Sequence, residues 1–246
     1  MPGLMRGLAI LQAFTPERRE MTLSEIAEAL KVSRSAAFRA VYTLAQTGFL
    51  LHDPARQVYA LGPSVMRLGY GVMASREIVG VALPELERLR NDTDWSAHLG
   101  VRDGRRVLYL LRVPSHMGLG SIVHVGSRLP AAATAMGRVL LADLDQEALV
   151  ALYRDASFDR APGRSPRSMA ALLAQWKEDR QTGLVEQRGQ FEAGVVGVAA
   201  PVRDMTGQTI AAINLTSTAP AAPDPVRRAV QIAADRIAAQ LGARGG

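Results

Sequence analysis

The chain has 246 residues, room for one large domain or two modest ones, and its 48% apolar and 21% charged residues exclude wholesale disorder. It has no cysteine, which excludes a disulfide scaffold, a thiolate metal site and a cysteine nucleophile. Lys+Arg exceeds Asp+Glu by 29 to 23, a net charge of +6 that permits a polyanionic partner without demonstrating one.

The N-terminal stretch, Met1 to Phe14, holds one basic residue and a short apolar run with no small-residue cleavage site, so it does not read as a signal peptide. No run of about 18 apolar residues occurs. The cytoplasm is the expected location, with no membrane partner.

Residues 4–61 read as three short helices and a β-hairpin. Leu4, Leu8 and Leu11 recur at helical spacing, with Phe14 one turn on, and Thr15-Pro16 ends that helix. Thr22-Leu23-Ser24-Glu25 is a capping-box pattern opening the second helix, whose stripe is Leu23, Ile26, Ala27 and Leu30. Lys31-Val32 is a tight joint. Ser33 is a candidate N-cap for a third helix that runs to about Thr47 and stops at Gly48. Phe49–Leu51 and Gln57–Leu61 flank the turn Asp53-Pro54-Ala55-Arg56.

A helical connector follows, then an amphipathic helix over roughly Arg76 to Asn91, with Ile78, Val79, Ala82, Leu86 and Leu89 inward. Beyond it strands and helices alternate. Strands are expected at Ser96–Val101, Val107–Val113, Ile122–Val125, Val195–Val202 and Ile210–Leu215. Helices are expected at Thr134–Leu144, Gln146–Tyr153, Ser168–Thr182 and Asp224–Leu241. Short turns between strands, with helices on one side, indicate an α+β domain around an antiparallel sheet. The expected domains are residues 1–62, a linker at 63–76, and 77–246.

A helix, a short joint and a second helix closed by a hairpin is the winged helix-turn-helix layout. On the third helix, Ser35, Phe38, Arg39, Tyr42 and Gln46 fall at i, i+3, i+4, i+7 and i+11 and so share a face. Arginine can bridge guanine O6 and N7, glutamine can pair with adenine, and Phe38 can touch a thymine methyl. Arg34 can reach a phosphate or a base edge. The hydroxyls of Thr22, Ser24 and Ser33 are candidates for phosphate contacts, although Thr22 and Ser33 equally suit helix capping. Phe38 and Tyr42 equally suit a core. Arg56, at the hairpin tip, is placed to lie along the minor groove.

The second constellation is a strand-to-helix segment, 125–138. Thr134 as N-cap would leave the N–H groups of Ala135, Met136 and Gly137 free, a terminus that favours a carboxylate or phosphate. The alternative is simply a capped helix closely packed at Gly137. Downstream, Asn214 and Thr216 share one face of an apolar strand, where buried polar groups need partners, from a ligand or from neighbouring backbone. His98, His116 and His124 form no close metal-spaced pair, and there is no Gly-x-Ser-x-Gly elbow or phosphate-binding Gly-rich loop with lysine. No catalytic residue, metal or cofactor is expected.

Four segments together resemble the IclR family of bacterial transcriptional regulators: Arg6-Gly7-Leu8-Ala9-Ile10-Leu11, Ser33-Arg34-Ser35-Ala36-Ala37-Phe38-Arg39, Thr134-Ala135-Met136-Gly137-Arg138-Val139-Leu140-Leu141-Ala142, and Gly194-Val195-Val196-Gly197-Val198-Ala199-Ala200-Pro201-Val202. The resemblance covers about residues 5–241. Residues 112–116 and 124–130 look most like the branch controlling aromatic-acid catabolism, of the protocatechuate and 4-hydroxybenzoate type. The resemblance implies an N-terminal winged helix-turn-helix, a C-terminal effector domain of GAF-like α/β form, and dimers or tetramers on a palindromic operator. It places effector contacts at Leu129, Ala135, Met136, Gln187, Val195, Gly197, Asn214 and Thr216. Gln187 stands where many members have an acidic residue, which bears on the effector, and Ala36 where many have threonine, which bears on the operator. The expected function is a DNA-binding regulator answering to a small organic acid, aromatic or dicarboxylic. The alternative is a hydrolase or isomerase of such an acid with a helical dimerisation arm.

Overall fold

The computed structural model describes residues 2–68, 77–116, 123–158, 163 and 165–244. The chain forms two compact units, 1–75 and 76–246.

The first unit contains α1 (Gly3–Ala13), β1 (Glu20–Thr22), α2 (Leu23–Ala29), α3 (Arg34–Gln46), β2 (Leu50–Asp53), β3 (Val58–Leu61) and a helical segment, α4, at 64–68. Thr22 caps α2 in a complete capping box: its hydroxyl accepts from Glu25 N, and Glu25 Oε2 accepts from Thr22 N at 2.7 Å. The joint between α2 and α3 bends at Lys31, whose φ of 53° is left-handed, and Ser33 then caps α3 by accepting from Ala36 N at 3.3 Å. The sheet order is β1-β3-β2, all antiparallel. Strand β1, three residues too short to show alternation, was not expected.

Ile10, Phe14, Met21, Ile26, Ala27, Ala37, Val41 and Leu50 form the core of this unit. In α1 the inward residue is Ile10, not the leucine stripe. Leu4 and Leu8 are 78% and 51% exposed. With Leu11 they line an open apolar groove shared with Ala40, Leu44 and Phe49.

The second unit contains α5 (Glu77–Thr93), β4 (Ser96–Asp103), β5 (Arg106–Val113), β6 (Arg128–Pro130), a 3₁₀ turn (Ala131–Ala133), α6 (Ala135–Ala142), α7 (Gln146–Tyr153), α8 (Met169–Thr182), β7 (Val185–Arg188), β8 (Val196–Arg203), β9 (Thr209–Ser217) and α9 (Asp224–Arg244). Its six-stranded antiparallel sheet runs β6-β5-β4-β9-β8-β7. On α5, Val81 is fully buried where Val79 was expected to be.

Helices cover both faces of this sheet, not one. Residues 196–202 of β8 are all buried, which requires cover above and below. Helices α6, α7 and α8 pack with Val107, Tyr109, Ala199 and Ala212 on one face. Their strand neighbours 200, 211 and 213 are equally buried and point the other way, towards α5 and α9. The expected strand Ile122–Val125 is corrected. Ile122 lies outside the described residues, Val123 and His124 belong to no strand, and 125–126 form a turn. Gly126 has φ 88° there, and pairing resumes only at Arg128. Of the expected linker, 69–76 lie outside the described residues.

Candidate nucleic-acid interface and effector pocket

Ser35, Phe38, Arg39, Tyr42 and Gln46 are all exposed on one side of α3, while Ala37 and Val41 are buried on the other. Phe38 is 49% and Tyr42 56% exposed, and their rings lie 6.1 Å apart, so neither belongs to the core. Exposing two adjacent aromatic rings costs solvation that a solvated helix has no reason to accept. Thr22, Ser24, Arg34, Ser35, Phe38 and Arg39 line one open groove.

The groove also takes in Gln57 and Tyr59, which sequence reasoning missed. Both come from the wing. Gln57 carries φ 55°, and Tyr59 stacks on His52 at 4.5 Å. Asp53 Oδ1 shapes the wing turn by accepting from Ala55 N and Arg56 N at 2.9 and 3.1 Å.

Three side chains differ from a free donor set. The Thr22 hydroxyl donates to Glu25 Oε2 at 2.8 Å, and Ser33 is the α3 cap with Ser35 Oγ 3.2 Å away. The Arg56 guanidinium makes a bidentate pair with Glu20 at 2.9 and 2.6 Å, and this partner raises its already high pKa.

In the second unit the sheet register gathers the other candidates. His98 stands opposite Asn214, Thr216 opposite Gly197, and Gly197 opposite Gln187. These rungs face the start of α6. Here Thr134 is the N-cap, and its hydroxyl accepts from Gly137 N at 3.1 Å. Gly137 is therefore not a free donor, and of the three amides expected only Ala135 and Met136 remain at the helix end. A Cβ on Gly137 would sit 2.3 Å from Ala131 O, so its glycine serves close packing.

Leu129, Ala135, Gln187, Val195, Asn214 and Thr216 line one cavity of about 130 Å³, of the order of the ~150 Å³ that houses a benzene ring. Gly197 does not itself line the cavity but lies against three of the residues that do. A Cβ there would come within 3.3 Å of Gln187 Nε2 and 3.6 Å of Ala135 and Thr216. The side chain of Met136 does not line the cavity. It is fully buried under the sheet, its sulfur against Gly100. Only its backbone amide stays at the helix end.

His98, Tyr109, Val123, Thr134, Phe191, Glu192, Ala193 and Thr218 complete the lining, and of these sequence reasoning had singled out Thr134, as the cap of the helix start. His98 is 1% exposed. Its Nδ1 lies 3.1 Å from Asn214 Oδ1, and a carbonyl oxygen only accepts, so Nδ1 carries the proton. Burial lowers its pKa to about 4, Arg112 adds to the effect, and the ring is neutral at physiological pH. Burial also pushes the Tyr109 hydroxyl far above its usual range. Among the described lining residues Glu192 is the single carboxylate. Between α6 and α8, Arg138 and Asp179 form a buried bidentate pair at 2.9 and 2.5 Å, and Arg138 also donates to Gln190 Oε1 at 3.3 Å.

Comparison with known proteins finds the family model described as bacterial transcriptional regulator IclR C-terminal over residues 70–237, and the IclR helix-turn-helix domain over residues 3–54. The chain belongs to the IclR family. The IclR homologue from Microbacterium hydrocarbonoxydans, solved with 4-hydroxybenzoate, is 26% identical and superposes with a TM-score of 0.84 over 98% of this chain and all of that one. The Pca regulon regulatory protein of Pseudomonas putida is 31% identical over 88% of this chain and 74% of its own length. The p-hydroxybenzoate hydroxylase transcriptional activator of Acinetobacter baylyi is 30% identical over 87% of this chain and 80% of its own.

As an IclR-family member the chain is a DNA-binding transcriptional regulator of catabolic genes, and its C-terminal domain binds a small-molecule effector. The hydrolase or isomerase alternative is set aside, because the relatives are regulators and not enzymes. No helix among the described residues is long and apolar enough to cross a membrane, and no three metal-ligating side chains gather there. His116, for instance, pairs with Asp94 at 3.1 Å.

Proposed function

We propose that this regulator reads a palindromic operator through α3 and answers to a small aromatic acid, acting in the cytoplasm as a homodimer or a pair of dimers. Ser35, Arg39, Tyr42 and Gln46 meet base edges in the major groove, and Phe38 packs on a thymine methyl. Arg34, Ser24 and the helix-start amides near Thr22 and Ser33 hold the phosphates, and Arg56 supports from the wing. The observation that carries this reading is the α3 face itself: an arginine, an amide and two aromatic rings exposed together beside a wing. The exposed stripe of Leu4, Met5 and Leu8 on α1 supports pairing of two DNA-binding units, as a two-fold operator requires.

The effector is placed in the cavity lined by Leu129, Ala135, Gln187, Val195, Asn214 and Thr216, next to Gly197 and the α6 start, with Met136 contributing only its amide. A ring-sized volume, apolar walls and amide donors suit one small acid. The relatives named for protocatechuate-type and hydroxybenzoate-type genes support the aromatic class. Effector binding shifts the balance between two arrangements of the DNA-binding units by preferring one of them.

Selection from a random duplex pool tests the reading. A two-fold-symmetric site should emerge, with affinity falling steeply with salt and changing when a panel of aromatic acids is added. Sequence-independent binding alone would defeat it.

A further inference from the structure

Given that the outer face of α3 enters the major groove, we propose that Phe38 and Tyr42 together form a two-ring reader of pyrimidine 5-methyl groups. Each half-site then carries two 5-methylpyrimidines within about three consecutive base pairs, and 5-methylcytosine serves there as well as thymine. The two rings stand one helical turn apart, with centroids 6.1 Å from each other and planes tilted by 33°. Both are about half exposed, while Ala37 and Val41, next to them in the chain, fill the core. The fold therefore does not use these rings, and a helix that met only water would gain nothing by showing them.

The chemistry of the major groove fixes what such rings can rest on. Guanine presents O6 and N7 there, adenine N7 and an amino group, and cytosine an amino group. All of these need hydrogen-bond partners. An aromatic face supplies none, and a polar edge covered by one loses its water without replacement. The C5-methyl of thymine is the apolar group that the groove displays, and covering it removes apolar surface from water. The Tyr42 hydroxyl sits at the end of its ring and leaves the face free for this contact. A methylated cytosine carries the same group on the same ring carbon, so an aromatic face does not distinguish the two.

Spacing places the two methyls close together. Four residues of α-helix advance about 6 Å, and successive base pairs stack about 3.4 Å apart. Rings 6.1 Å apart thus span one to two base steps, and the methyls belong to one short run. Polar side chains flank that run: Ser35 lies about one turn before the pair and Gln46 one turn after it, on the same exposed face. Arg34 and Arg39 line the groove that Phe38 lines, and their positive charge matches the polyanion that carries the methyls. That charge favours a duplex over an apolar protein surface as the occupant of the two rings.

Fluorescence anisotropy of the full chain on a duplex recovered by selection tests this. Each thymine of one half-site is replaced in turn by uracil, which lacks only the methyl. At two neighbouring positions the replacement should weaken binding about fourfold, the worth of burying one methyl, and elsewhere it should change little. At those same positions, paired with guanine, 5-methylcytosine should bind about fourfold tighter than cytosine. Phe38→Ala should erase the methyl effect at one position and Tyr42→Ala at the other. Thermal unfolding of both variants, followed by helical circular dichroism, should match the wild type, because both side chains are exposed. Operator preference and affinity that survive uracil at every thymine would overturn the methyl reader and leave α3 as the recognition helix. A methyl effect that persists in both variants would do the same. A changed oligomeric state of either variant without DNA would assign the rings to a protein interface and overturn the proposal as well. Binding without any sequence preference would instead overturn the recognition helix itself, and the methyl reader with it.

Discussion

The outer face of α3 and the cavity at α6 differ in nearly every physical respect. The first is an open surface carried largely by one helix, cationic at Arg34 and Arg39, with its polar groups in water. The second is a small cavity assembled from strands β4, β5, β6, β7 and β9, the segment leading into β8 and the start of α6, and lined by apolar and neutral polar groups with the single carboxylate of Glu192. A polyanion whose charge lies on its outside is met by mobile cations that keep their hydration until contact. A single small anion is met by fixed amides in a site of low dielectric, where a mispaired group is costly. Substitutions on α3 should therefore change binding and leave folding alone, whereas changes at the cavity should disturb both.

The largest expected effect is on the cavity side and concerns protons. A free histidine titrates near 6.5, and His98 in the folded chain near 4. Between those values the unfolded chain binds the proton and the folded chain does not, so stability falls as pH drops through that window. At about 1.4 kcal/mol per pH unit the loss approaches 3 kcal/mol by pH 4. Asp179, raised by burial, acts in the opposite direction, and carboxylates such as Asp94 and Asp204, lowered by their hydrogen bonds, add to the loss at the acid end. The difference between wild type and His98→Phe removes these shared terms. Both tryptophans, Trp95 and Trp176, lie in the second unit, so urea unfolding followed by their fluorescence reads this unit alone. Parallel pH profiles for the two proteins would break the assignment of a buried neutral ring.

On the α3 side, Arg39→Ala should cost roughly 1–3 kcal/mol of base discrimination, a tenfold to hundredfold loss of operator preference. The thermal unfolding of the first unit, followed by helical circular dichroism, should not move. Fluorescence anisotropy with operator and scrambled duplexes measures the ratio, and an unchanged preference would remove Arg39 from the reading surface.

Thr22 lies on the boundary between folding and binding. Thr22→Ala removes half of the capping box and should cost about 1 kcal/mol of stability in the first unit, measured by helical circular dichroism. Operator preference should hold, because the Thr22 hydroxyl already donates to Glu25. A large loss of preference with unchanged stability would reverse that ranking.

The same contrast decides what could be read from the chain alone. The α3 face was legible because a single helix maps periodicity directly onto a surface, and Ser35, Arg39 and Gln46 emerge where spacing puts them. For Phe38 and Tyr42 spacing was not enough, since an aromatic ring at helical period fits core and interface equally. The leucines of α1 show the failure of the same logic: Leu4 and Leu8 repeat correctly but stay exposed along an open groove instead of entering the core, and period does not distinguish a core from an interface. The cavity was legible only through family resemblance and the α6 cap. His98, Tyr109 and Phe191 come from three separated segments, and only the antiparallel register brings His98 against Asn214, 116 residues away. Strands β1, β6 and β7 were missed because three or four residues leave no alternation to detect.

The smallest effect expected is at the wing, and it sharpens the comparison most. Arg56 is a proposed DNA-contacting guanidinium that, in this structure, already has an anionic partner, Glu20, and both side chains are largely exposed. An exposed pair of this kind contributes little to stability, so exchange of Glu20 for a phosphate is nearly neutral in energy. Glu20→Gln should free the guanidinium and remove a nearby negative charge. Affinity should then rise a few-fold on operator and scrambled DNA alike, with no change in their ratio, because a phosphate contact carries no sequence information. Arg56→Ala should lower both and reduce the slope of log affinity against log salt by about one. If Glu20→Gln changes nothing while Arg56→Ala still lowers affinity, Arg56 already leaves Glu20 in the complex without hindrance. If neither variant matters, the wing tip stays off the DNA, and α3 with the Gln57 and Tyr59 side of the groove carries the interface without it.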